Sequence, residues 1–116
     1  MQPVEILTAA RALIQDPAHW TQGSFARDEH GHDVDALAPT AQCFCAYGAI
    51  VKVTNKDTLR HNPAGPFLRS AAAALCGVPH PADLNDGVNH APGLTPHQAV
   101  LKMFDLAIEE AKSHDS

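Results

Sequence analysis

The alanine content constrains this chain more than any other feature. Of its 52 apolar residues, 20 are alanine and only 21 are valine, isoleucine or leucine. A core made of so many small side chains closes only where backbones approach tightly, which favours packed helices over a sandwich of branched residues. The 116 residues are enough for one such core, because a chain of this mass exposes roughly 6,100 Å² folded against roughly 17,800 Å² unfolded. A single domain over 1–116 is expected, with a frayed tail at about 113–116.

Charge narrows the function classes. Eight Lys and Arg against 13 Asp and Glu give a net charge of −5 with histidine neutral, and protonating all eight histidines would bring it to +3. The eight basic residues are scattered, so no stripe is available to neutralise consecutive phosphates, and a nucleic-acid partner is disfavoured relative to a protein or small molecule. The longest apolar stretch, Ala71 to Val78, is far shorter than the about 18 residues a membrane span needs. The first 15 residues carry Glu5 and Arg11 on an amphipathic pattern, which does not read as a signal peptide. Cys43, Cys45 and Cys76 are odd in number in a chain large enough to fold without staples, so three thiols in a reducing cytoplasm are expected.

Periodicity places the elements. Ile6, Leu7, Ala10, Leu13 and Ile14 recur at helical spacing from Pro3 to Gln15, and Asp16-Pro17 ends that helix. Ser24–Asp28 and Asp33–Leu37 form a candidate hairpin around Glu29-His30-Gly31-His32, where Gly31 can take the positive φ of a tight turn. Ala41–Val53 reads as a second helix with Thr40 as its cap. Within it Cys45, Gly48 and Ala49 put three small residues on one face, which lets another backbone come close and explains a glycine in mid-helix. Phe67–Cys76 is an alanine-rich helix stopped by Gly77 and Pro79. His80–Leu94 reads as a long connection and a natural place for function. Thr95-Pro96-His97-Gln98 has the order of a capping box opening a last helix along Val100, Met103, Phe104, Ala107, Ile108 and Ala111. The expected fold is mainly α: about four helices packed as a pair of layers, with a small hairpin between the first two.

Three constellations bear on chemistry. Cys43-Phe44-Cys45 is too closely spaced for a structural zinc site and has no second cysteine pair, so buried thiols are the simpler reading. Asp28, His30, His32 and Asp33 crowd one turn and could offer metal ligands, but a solvated hairpin tip explains them as well, and no metal or cofactor is expected. Cys45, in the opening turns of its helix, is the thiol best placed for a lowered pKa. A cysteine hydrolase or transferase would pair it with His90 as base and Asn85 or Asp86 as orienting group. Trp20, Gln22, Asn85 and Asp86 also read as a buried polar cluster, with Asp86 a plausible acceptor for the indole N–H. Whether Cys45, Asn85 and Asp86 line an open pocket or a sealed core stays open at this level.

The order Trp20-Thr21-Gln22-Gly23, Ala26-Arg27-Asp28, Cys45-Ala46-Tyr47-Gly48-Ala49-Ile50, Asn85-Asp86 and a Thr95-led terminal helix resembles domain-of-unknown-function family 6197, small bacterial and phage proteins. The family pattern often has tryptophan directly before Asn-Asp, and Leu84 stands there instead. The resemblance implies no particular activity, but it singles out Trp20, Gln22, Gly23, Cys45, Gly48, Asn85 and Asp86. None of the eight histidines falls on these motifs, and most sit in expected turns, loops or helix ends. The leading expectation is a cytoplasmic, non-enzymatic, phage- or mobile-element-associated protein that binds a partner protein through an acidic surface. The alternative is the Cys45 enzyme, and a histidine-based acid sensor is a third reading.

Overall fold

The computed structural model describes residues 2–56 and 62–114. His61 and the last two residues of the expected tail lie outside them. Five α-helices and a three-stranded antiparallel sheet follow one another as α1 (Pro3–Ile14), a 3-10 turn (Pro17–His19), β1 (Ala26–Arg27), β2 (Asp33–Val34), β3 (Cys43–Phe44), α2 (Ala46–Thr54), α3 (Gly65–Cys76), α4 (Pro81–Asn85) and α5 (Pro96–His114). The mainly helical class is as expected. Helix α1 packs on α2 and α5, and α3 and α4 pack on α5, so the terminal helix is the spine of the core.

The alanine argument holds in detail. Twelve of the 20 alanines are buried, among them Ala10, Ala46, Ala49, Ala72, Ala99 and Ala107, and they fill the spaces between Leu7, Ile14, Ile50, Leu68, Leu84, Met103 and Phe104. Such a core gains little per side chain and relies on close interhelical approach. The end signals also work as read. Gly77 closes α3 with φ +86 and a bond from its N–H to the Ala73 carbonyl. Thr95 Oγ1 accepts from Gln98 N at 3.2 Å while Gln98 Oε1 accepts from Thr95 N at 3.0 Å, a reciprocal capping box.

Two boundaries differ from the periodicity. The segment read as one helix from Ala41 to Val53 is a strand and then a shorter helix, and Thr40 does not cap it. Cys43-Phe44 pairs with the free edge of β1 in the register Arg27↔Cys43 and Ala26↔Phe44, which makes β1 the centre of the order β2-β1-β3. The chain turns into α2 only at Cys45, whose ψ of 178° is extended. A short apolar run has no period of its own to tell strand from helix, and the unfilled strand edge decides it. In the expected connection His80–Leu94, Pro81–Asn85 forms the one-turn helix α4 with proline in its first turn. The hairpin pairs as predicted but briefly, with Ala26 opposite Val34, and Gly31 turns at φ +80.

Candidate functional site

Four motifs far apart in sequence meet where α4, α2 and the loop after the 3-10 turn converge. Asn85, at the last turn of α4, is fully buried and makes four side-chain hydrogen bonds. Its Oδ1 accepts from Trp20 Nε1 at 2.8 Å and from Ala46 N at 3.0 Å, and its Nδ2 donates to Thr21 O at 3.1 Å and Asp86 Oδ1 at 3.0 Å. The side chain is saturated, as a buried carboxamide must be to avoid a desolvation cost of about 1–3 kcal/mol per orphaned group. Its main-chain carbonyl accepts from Gln22 Nε2 at 3.0 Å. Asp86 points outward and fixes the same loop by accepting from Gly23 N at 3.0 Å. Gly23 sits at φ +75, a conformation that a side chain would strain.

The indole acceptor is therefore Asn85 and not Asp86. Successive residues on one helical turn point about 100° apart, so α4 can aim only one of the pair inward. The uncharged one goes there, since burying a carboxylate beside an indole would cost far more than burying an amide. Trp20 also lies against His97, with ring centroids 5.0 Å apart, while His97 Nε2 is 2.8 Å from the Ile14 carbonyl and so carries the proton that it donates. His97 was not singled out by sequence reasoning. Its place at the start of α5 was the only available signal.

Cys45 is the N-cap of α2. Its Sγ accepts the Gly48 N–H at 3.3 Å, and its own N–H donates to Phe25 O at 3.1 Å. A helix N-terminus was expected to lower this thiol's pKa. Burial instead raises it above the ordinary 9.0, with the Asp86 charge pushing the same way, against the smaller downward pull of the Gly48 and Tyr47 N–H groups. Gly48 does what its small-residue stripe predicted, for a strand-side backbone: a Cβ there would lie 1.9 Å from the Phe25 carbonyl oxygen.

Above this clamp opens a pocket of about 290 Å³. Gly23, Ser24 and Phe25 form one side, Cys45, Ala46 and Tyr47 another, and Ala82, Asn85 and Asp86 the third. The question of pocket or core thus has a divided answer: Asn85 is fully buried at the pocket floor and Cys45 nearly so, while Asp86 is exposed at its side. Phe25 stands at the mouth, 53% exposed. Tyr47 turns its hydroxyl to Arg69 on α3, so only its ring serves as wall. His90 is exposed and does not line the pocket, so the proposed Cys45–His90 pair is not brought together.

The remaining candidates are accounted for locally. Cys43 Sγ faces the Arg27 carbonyl at 3.7 Å while Cys45 Sγ faces Gly48, so the two thiols do not converge on a shared ion. All three cysteines are free. In the hairpin Asp28 Oδ1 accepts from His30 N and His32 N, both at 2.9 Å, and these bonds, His32's first, hold its carboxyl below the usual 3.8. The His30 and His32 rings lie 6.2 Å apart on one side of the turn, nearer than a reversal at Gly31 suggests. Among the described residues no group of three or more His, Cys, Asp and Glu side chains is arranged to hold a metal. Arg27 pairs with Asp33 at 3.3 Å, Glu29 lies 3.4 Å from His30 Nε2, and Asp35 accepts from Leu37 N, with all three carboxylates exposed.

The fold and this clamp define a small, mainly helical protein with a short sheet, in which one buried asparagine ties three segments to the mouth of an open pocket. The chain belongs to the family of unknown function DUF6197, whose model matches residues 1–110. No curated protein and no solved structure matches it. No helix among the described residues is long and apolar enough to cross a membrane.

Proposed function

We propose that this protein acts by binding, capturing a protein partner on the surface that runs from the acidic hairpin to the pocket mouth. The observation that carries the reading is Phe25: an aromatic ring 53% exposed, one residue before β1, beside a pocket whose polar floor is already satisfied. Exposed aromatics beside preformed pockets are what interfaces use, because they bury much area at little entropic cost. The charge balance adds to this, since Asp28, Glu29, Asp33 and Asp35 along the hairpin outnumber Arg27 and would steer a basic partner. The Cys45 hydrolase reading draws no comparable support, as the thiol is held protonated by burial and no imidazole lines its pocket. The three free thiols support a cytoplasmic setting.

The test is a photo-crosslinking residue placed at Phe25 in the otherwise native chain, expressed in its host. A single stoichiometric partner is expected, lost on charge reversal at Asp28, Glu29, Asp33 and Asp35 and retained in Cys45→Ala. Recovery of no stoichiometric partner, or loss of capture in a folded Cys45→Ala protein, overturns the reading.

A further inference from the structure

The pocket beside Phe25 has a chemical selectivity that its lining spells out. Its walls are mostly apolar, with Phe25, Tyr47, Ala46 and Ala82 in the lining, and the Ser24 hydroxyl among them is turned to the Ala26 carbonyl. Within this lining Asp86 is the sole formal charge, and the neighbouring Arg27 guanidinium, beside Gly23, is committed to the Gln22 carbonyl and to Asp33. Its influence reaches the pocket floor, for it is the Asp86 charge that adds to the upward shift of the Cys45 thiol. A mostly apolar slot whose lining carries one carboxylate and no cation matches a cation carried on an aliphatic stem.

The carboxylate geometry narrows the cation further. Asp86 Oδ1 is occupied twice, by Gly23 N and by Asn85 Nδ2, both at 3.0 Å. Those bonds lock the group in place and leave Oδ2, which has no partner among the described residues, as the carboxylate oxygen free to accept from a ligand. A guanidinium is best held by both oxygens of a carboxylate in parallel, whereas an ammonium is a compact point charge satisfied by a single strong acceptor. The four-carbon stem of lysine also covers apolar surface while its head stays polar. We propose that the pocket is a socket for a lysine side chain of the partner polypeptide, its stem lying against Phe25 and Tyr47 and its ammonium donating to Asp86 Oδ2. The proposal rests on the partner-binding reading and gives that partner a chemistry: a basic segment with a protruding lysine.

The probe is a terminally blocked Gly-Lys-Gly tripeptide titrated into the ¹⁵N-labelled full chain, with amide shifts followed at Gly23, Phe25, Cys45, Ala46 and Asp86. Saturable shifts at these residues are expected, weaker for the arginine peptide and absent for the Nε-acetyl-lysine and norleucine peptides. Asp86→Asn preserves an Oδ1 acceptor for Gly23 and Asn85, so the fold is kept while the charge goes. It should weaken the lysine peptide about tenfold or more. Equal binding of acetyl-lysine, tighter binding of arginine, unchanged binding in Asp86→Asn, or no saturable shift by about 10 mM peptide would each overturn the socket. The two proposals fail separately. Loss of partner capture on hairpin charge reversal with none in Asp86→Asn keeps the partner and removes the lysine socket, while absence of any crosslinked partner removes the larger reading whatever the peptide does.

Discussion

Two Asx side chains in this molecule do the same job in opposite surroundings. Asp28 and Asn85 each accept two N–H groups on one oxygen and so fix a turn of chain. Asp28 reaches only two and four residues along its own hairpin, in contact with solvent, and its bonds replace ones that water would make. Asn85 is fully buried and reaches 65 residues back to Trp20 and 39 back to Ala46. No water stands ready to take over those bonds. The same bond count therefore carries very different weight, because what matters is the state of the partners once the side chain is gone.

Substitution puts that contrast at risk most directly. Asn85→Ala strands the Trp20 indole, the Ala46 N–H and the Thr21 carbonyl together, and should cost about 3–5 kcal/mol in urea unfolding. A cost no larger than that of Asp28→Ala would break the comparison. Gly48→Ala comes next, since the new methyl group must displace the Phe25 backbone, and a loss of about 2–3 kcal/mol is expected by the same assay. Little change would mean that the loop does not press on α2.

Titration gives a smaller effect at the clamp. With its pKa raised by burial, the Cys45 thiol favours the folded state only while protonated. That contribution is whole below about pH 9, where the unfolded thiol ionises, and declines as pH rises toward the folded value. A thermal-melting profile should therefore fall above that pH, less so in Cys45→Ala, and iodoacetamide should modify Cys45 slowly at pH 8 in the native protein and at an ordinary rate in urea. Rapid native alkylation contradicts the buried thiol. The smallest effect is at the hairpin. The depressed Asp28 carboxyl contributes above its unfolded value of 3.8 and stops doing so as pH falls through its lower folded value. Amide protection at His30 and His32 should fade there and in Asp28→Ala, with the global melting temperature unmoved. A global shift would show that the hairpin is coupled to the core after all.

The same division separates what could be read in the residues from what could not. Gly31, Gly77 and the Thr95–Gln98 box act within about one turn of chain, so residue type and spacing suffice to place them, while Asp28, equally local, reads in the sequence only as a metal ligand or solvated tip and not as the acceptor that fixes its turn. The cluster of Trp20, Gln22, Asn85 and Asp86 was legible as a group of polar residues needing partners, but not its pairing or its depth: only Asn85 is buried, Trp20 is half-buried, Gln22 and Asp86 are exposed, and it is Asn85 that holds the indole. Cys45 is the clearest miss. Its place at the helix start was right and its pKa direction wrong, because the dipole effect of a terminus is local while desolvation depends on how deeply the folded chain buries the thiol.

Composition and local pattern alone determined a mainly helical protein with a small-residue core, its α3 stop, its α5 cap and the close backbone approach at Gly48. These follow from volumes and from bonds within a few residues. Only the tertiary structure decided that Cys43-Phe44 completes a sheet, that Asn85 and not Asp86 holds the indole, and that an open pocket with a lone carboxylate lies above them. Each of those outcomes depends on which distant groups come to share a buried or half-open space, and desolvation sets its value only once the chain has closed around it.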